Sequence, residues 1–259
     1  MSTPRRSGRD RQAGLDAERV GYAEYSKRPL HCLIFLAPLL VLYEAGSLLY
    51  LTDASTGLAE TIAAYSIIGR ASEAFGVAGF AVPAALLVVV LLIWHVLERD
   101  PWRIRPGTLA GMTIESIAFT MPLLVAAALI GAGPAMEAAA TDPSVLPWQG
   151  RLTLAVGAGL YEEMLFRLLL IPVVVLVLRD LLRLKESSAN LGAIGLSALL
   201  FALYHDLGPG LSVDFGRLVF FLVAGLFFGG LFVWRGFGIV VGVHAAYDII
   251  VLLVLDGGG

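Results

Sequence analysis

The sequence predicts an all-α, polytopic transmembrane helical bundle of about seven spans (six to eight), and three observations carry that prediction. Of its 259 residues, 58% are hydrophobic and only 15% are charged, where a soluble domain carries roughly 25% charged residues. The apolar residues come in runs of about 20, long enough to cross a hydrocarbon core of roughly 30 Å, and the mean hydropathy is +0.83. The basic residues also fall on alternate connections between those runs, as the positive-inside bias requires. The single cysteine, Cys32, excludes an internal disulfide and any cysteine-rich metal site, and reads as a small core residue.

Residues 1–29 form a polar tail with Arg5, Arg6, Arg9, Arg11, Arg19, Lys27 and Arg28, seven of the eighteen basic residues. A tail of this kind lies on an anionic leaflet or stays unstructured, and it marks the cytoplasmic side. No cleavable signal peptide is expected, because the first apolar run is too long for an h-region. Spans are expected at about 30–51, 76–97, 108–131, 152–178, 190–206, 215–234 and 237–255. Arg99, Arg103 and Arg105, then Arg179, Arg183 and Lys185, then Arg235 fall on one side. The opposite connections, 52–75, 132–151 and 207–214, hold only Arg70 and Arg151. The N-terminus is therefore placed inside and the C-terminus outside. The region 56–73, interrupted by Glu60, Arg70 and Glu73, reads as an interfacial helix. The fourth span is too long to sit upright in a bilayer; Pro172 offers a kink, and Arg179 to Lys185 would lie at the surface. Pro209 and Gly210 are expected to end the fifth span soon after Asp206.

Three polar constellations interrupt these spans. The first is Glu162-Glu163-x-x-x-Arg167. Charges inside a lipid-compatible segment cost several kcal/mol and persist only when they face protein or a water-filled cavity. Glu163 and Arg167 stand four apart in the favourable order for an ion pair. Glu162 points about 100° away and is left for other work. Gly159, Ala158 and Ala155 precede it on the same helix and would admit a second helix at close range. The plain alternative is a structural salt bridge, which needs only one of the two glutamates.

The second is Phe201-x-x-x-His205, where Ser197, Ala198, Phe201 and His205 share one helical stripe. A histidine at the end of a span is also an ordinary interfacial residue, and His205 reads as lying nearer the outer end. The third is His244-x-x-x-Asp248, one helical turn apart, so that both can address a single site or simply satisfy each other in the core. By helix rise, Glu162 lies about 16 Å below Arg151 and His244 about 13 Å above Arg235. Glu44 and Glu115 are further intramembrane carboxylates that would line the same cavity or sit near an interface. His31 and His95 read as interfacial anchors.

On successive membrane helices, the order Glu-Glu-x-x-x-Arg, Phe-x-x-x-His and His-x-x-x-Asn or Asp resembles the CPBP intramembrane proteases. These include the CAAX prenyl endopeptidases and bacteriocin-processing or self-immunity proteins. The resemblance divides the chain into a basic cytosolic tail at 1–29, N-terminal membrane spans at 30–150 and a CPBP-like catalytic membrane core at 151–256. It implies an endopeptidase in which Glu162, assisted by His205, activates a water, while His244 and Asp248 stabilise the oxyanion and Glu163 and Arg167 hold the first carboxylate. It implies no cofactor, although zinc held by Glu162, His205 and His244 is the alternative. The expected partners are a membrane-associated protein or peptide substrate, lipidated or not, and the lipid bilayer, with no nucleic acid. The expected place is a bacterial cell membrane, crossed several times, with the N-terminus cytoplasmic. A catalytically silent scaffold or bacteriocin immunity protein of the same fold is the alternative function. A transporter using Glu44, Glu115 and Glu162 as relay groups is a third reading, against which stands the absence of an internal repeat. Two departures stand out: Leu168 follows Arg167 where the family has Gly, and Asp248 stands where the prenyl endopeptidases have Asn.

Overall fold

The computed structural model describes residues 21–52, 62–79, 81–130, 146–206 and 215–255. Arg5, Arg6, Arg9, Arg11 and Arg19 of the tail, Glu60, and the helix stop at Pro209 and Gly210 lie outside the described residues. After a single turn at Tyr22–Tyr25, α1 runs Pro29–Gly46 and continues as a π-helical turn at Ser47–Leu51. There follow α2 (Ala63–Ala74), α3 (Val82–Glu98) and α4 (Pro106–Ile130). Helix α5 begins as Trp148–Glu163 and continues without interruption through Met164–Leu170, Ile171–Leu176 and Val177–Leu181. Three helices close the chain: α6 (Glu186–Asp206), α7 (Phe215–Arg235) and α8 (Phe237–Ile249), the last continued as Ile250–Leu255.

Among the described residues, α1, α4, α6, α7 and α8 are long and apolar enough to cross a membrane, and α3 is a shorter apolar helix. Large apolar side chains on the outside of the bundle, such as Val41, Leu49, Ile93, Ile114, Leu129 and Leu191, are exposed, as lipid-facing residues are. This is an integral membrane protein with an all-α, polytopic bundle. Helix α8 is its axis: it packs on α1, α4, α5 and α7, and all of its residues from Phe237 to Ala245 are buried.

The local departures from the expected spans have physical causes. Helix α3 starts at Val82 rather than near residue 76, because Gly76 and Gly79 hold φ of 80° and 153° and cannot continue a helix. Helix α5 departs from regular α-helix just before Pro172, in the widened turn Met164–Leu170, which absorbs the missing N–H. Gly236, at φ 89°, is the whole connection between α7 and α8, and it sets these helices side by side. The expected interfacial helix is α2, whose buried face is Ala64, Tyr65 and Ile68.

Candidate active site

Helix α5 carries the first carboxylates into the middle of the bundle. Glu163 and Arg167 pair at 2.8 Å with both side chains fully buried. The widened turn that starts at Met164 carries Arg167 towards α7, where its Nη2 donates to the carbonyl of Gly225 at 3.4 Å. Its guanidinium also lies over the rings of Phe201 and Phe228, 4.3 Å and 5.1 Å from their centroids, which suits a cation stripped of water. Close helix approach makes these contacts possible. A Cβ on Gly225 would stand 2.8 Å from the Cα of Ala198, and one on Gly159 would stand 2.8 Å from the backbone nitrogen of Ala245.

Helix α6 brings His205, only 4% exposed. Its Nδ1 lies 2.9 Å from the carbonyl of Phe201; a carbonyl only accepts, so Nδ1 carries the proton. The ring stacks on Phe221, with centroids 4.0 Å apart. Nε2 then faces Glu162 Oε2 at 3.4 Å. A ring nitrogen facing a carboxylate oxygen needs a proton between them, carried by the ring or by a water.

Helix α8 brings His244 and Asp248. His244 Nδ1 donates to Glu163 Oε1 at 2.7 Å, the same oxygen that accepts from Arg167 Nη1. Its Nε2 stands 3.3 Å from Asp248 Oδ2 and 3.9 Å from Glu162 Oε2, and the ring stacks on Phe228. Three carboxylates thus meet one guanidinium and two imidazoles, and the cluster is neutral when both imidazoles are protonated. Glu162, His205, His244 and Asp248 all line one cavity, walled by Phe201, Phe221 and Phe228. Its space for the centre of a water molecule is about 20 Å³, more than the roughly 10–15 Å³ that one water requires. Glu162 Oε2 and Asp248 Oδ2 are buried there without a hydrogen-bond partner. Among the described residues, no group of three or more His, Cys, Asp and Glu side chains forms a metal-holding set.

The six residues singled out by the three motifs therefore form one contiguous network, with Glu163 and Arg167 behind the cavity and the other four on it. His205, which the sequence placed nearer the outer end of its span, stands in the last turn of α6 and meets Glu162 there at 3.4 Å. The other carboxylates stand apart from the cavity. Tyr161 donates to Glu44 at 2.8 Å, and Glu115 is engaged by Arg235 and Tyr22, so neither belongs to the cavity lining. His31 and His95 are buried within the protein. His31 accepts the backbone N–H of Arg105, and His95 lies edge-on to Trp102 at 4.3 Å. What sequence reasoning missed is α7: Phe221, Gly225 and Phe228 recur at one-turn spacing on a single helix face, a pattern legible in hindsight but indistinguishable there from ordinary packing.

Comparison with curated proteins and with solved structures gives no match. The family model described as type II CAAX prenyl endopeptidase Rce1-like matches residues 144–250, which contain all six of these residues. Residues 144–250 are thus similar to an Rce1-like domain, in agreement with the resemblance that the three motifs bear to the CPBP proteases.

Proposed function

We propose that the protein is an intramembrane endopeptidase that hydrolyses a peptide bond of a membrane-associated substrate, lipidated or not, with water activated by Glu162. The observation that carries this reading is Glu162 Oε2, buried without a hydrogen-bond partner beside His205 on a cavity the size of one water. Glu162 takes a proton from that water as its oxygen attacks the peptide carbonyl carbon, with His205 Nε2 orienting it. Charge develops on the former carbonyl oxygen, and His244, with a proton on Nε2, stabilises it. Asp248, with Oδ2 3.3 Å from Nε2, places a negative charge beside that proton and favours it, while Glu163 and Arg167 fix the ring from its Nδ1 side. The C–N bond then breaks, and the amine leaves with the proton that Glu162 returns, giving one new carboxyl and one new amino terminus. No step calls for a metal ion, and none is routed through one.

The basic residues at 98–107, 179–189 and 235 support a cytoplasmic N-terminus. The test is cleavage of quenched lipidated and unlipidated peptides by the purified protein in micelles, beside Glu162→Gln and His205→Ala, with and without chelator. Cleavage by the wild type alone, unaffected by chelator, supports the reading. Loss with chelator replaces it with a metal-dependent one, and a cellular phenotype unaffected by Glu162→Gln replaces it with a silent scaffold.

A further inference from the structure

We propose that the substrate enters the cavity from the lipid side, past the half of α4 beyond Pro122, and that Leu123 fills the place its scissile segment takes; the proposal rests on the reading of Glu162 as the base. The closed cavity holds one water, and no residue lining it is more than 8% exposed. A peptide bond therefore comes within reach of Glu162 only when a wall moves. Five helices supply the lining, and four of them carry the chemistry. Helices α5, α6 and α8 bear the carboxylates and imidazoles, and α7 bears Phe221 and Phe228, on which His205 and His244 stack. Helix α4 supplies Leu123 alone. Drawing one of the polar helices away would open its charges to hydrocarbon, which is costly. An apolar helix end loses little by turning to lipid, because lipid chains are as apolar as the neighbours it leaves.

Helix α4 has two unlike halves. Up to Thr120 it is fastened by polar contacts: Glu115 binds Arg235, and Thr120 Oγ1 lies 3.4 Å from the carbonyl of Val243. This half also lies close against α8, where a Cβ on Gly242 would meet the Ser116 hydroxyl. Pro122 then interrupts the helix. It has no N–H to give to the carbonyl of Ala118, so one backbone bond is missing at that level. Residues 121–130 carry no polar side chain. Leu123 is the only one of them that is buried, while Met121, Val125 and Leu129 are exposed. The half that closes the cavity is thus held by apolar contact alone, and it joins the fastened half at a weakened turn. When it swings out, the gap left by Leu123 is bordered by Phe220 of α7 and Tyr247 of α8, whose rings stack 5.9 Å apart. An extended stretch of polypeptide lying in the bilayer enters there with its backbone towards Glu162.

The test uses the full-length protein in phosphatidylcholine vesicles, with Cys32→Ala and Ala224→Cys placing one thiol on the cavity. Leu123→Ala removes the plug, so labelling of that thiol by N-ethylmaleimide, which dissolves in lipid, should speed up about tenfold. Leu87→Ala, at an equally buried leucine of α3 away from the cavity, should leave the rate unchanged. In the otherwise native chain, Leu123→Ala should lower KM for peptide cleavage about tenfold with kcat held, because more of the molecules stand open to substrate. Should Leu123→Ala not fold, Leu123→Val carries the same prediction at about threefold. Labelling no faster in Leu123→Ala than in Leu87→Ala overturns the proposal. So does equally fast labelling by a charged thiosulfonate, which places the entrance in water rather than in lipid. If the wild type cleaves no peptide, the hydrolytic reading fails by itself, and the labelling rates still decide the route.

Discussion

Two of the clusters that pair a carboxylate with an arginine, one part-buried and one fully buried, are finished differently. At the end of the molecule near Tyr22, Arg235 binds Glu115 through two nitrogens, donates to the carbonyl of Ala23 and reaches Ser26 Oγ at 3.2 Å. Both oxygens of Glu115 are taken, one of them also by the Tyr22 hydroxyl. In the middle of the bundle, Arg167 and Glu163 share a single bond at 2.8 Å, and Arg167 Nε, Glu162 Oε2, Glu163 Oε2 and Asp248 Oδ2 have no hydrogen-bond partner. A buried polar atom without a partner costs about 1–3 kcal/mol. Of these two clusters, the one left short of partners is the one that meets the cavity.

The largest effect expected from this contrast is on hydrolysis. Glu162→Gln keeps the shape of the side chain and removes the base, so cleavage falls by roughly a thousandfold, while thermal unfolding in micelles stays at the wild-type midpoint. A variant that still cleaves at more than a tenth of the wild-type rate breaks the distinction between the clusters. Arg167→Met comes next, and it acts on stability. It leaves Glu163 as a fully buried charge without its cation, a loss of about 3–5 kcal/mol, read as unfolding at lower denaturant. Glu115→Gln should cost less, about 1–2 kcal/mol, because its side chain is 18% exposed and solvent screens the pair. Its kcat per folded molecule should equal that of the wild type. A Glu115 variant that folds normally but loses kcat would show that the fastening at Tyr22 is part of the site after all.

Much of this division could be read from the sequence, because the cost of a charge in hydrocarbon makes each one conspicuous. Glu163 and Arg167 declared their pairing by a spacing of four on one helix, and Gly159 foretold a close neighbour, which is Ala245 of α8. The links that were not legible run between helices. Nothing in the sequence says that one oxygen of Glu163 serves both Arg167 and His244, since residues 81 positions apart meet only through tertiary packing. Glu115 and Glu44 looked as eligible as Glu162 because a lone carboxylate carries no sign of its partner. Arg235 was read only as a boundary marker, although it is what occupies Glu115. The meeting of His205 with Glu162 was not legible for a related reason: His205 stands in the last turn of α6, and only the packing of the helices brings it within 3.4 Å of the carboxylate.

The smallest effect, and the sharpest test of how the site holds its protons, is Asp248→Asn. Asp248 Oδ2 stands 3.3 Å from His244 Nε2, in the place where the prenyl endopeptidases have an amide. If the side chain served as a donor to the oxyanion, an ionised aspartate would be useless there and the amide would raise kcat steeply. If it serves to accept from His244, the amide oxygen of Asn does the same work with less charge, and kcat should change by no more than about threefold. The carboxylate does contribute one thing that the amide cannot, a negative charge favouring the doubly protonated ring. Asp248→Asn should therefore weaken the hold on that proton, so that the variant loses activity at a lower pH than the wild type as the solution is made more alkaline. A steep gain in kcat with an unchanged alkaline limb would move Asp248 from partner of His244 to a group that acts on the substrate directly.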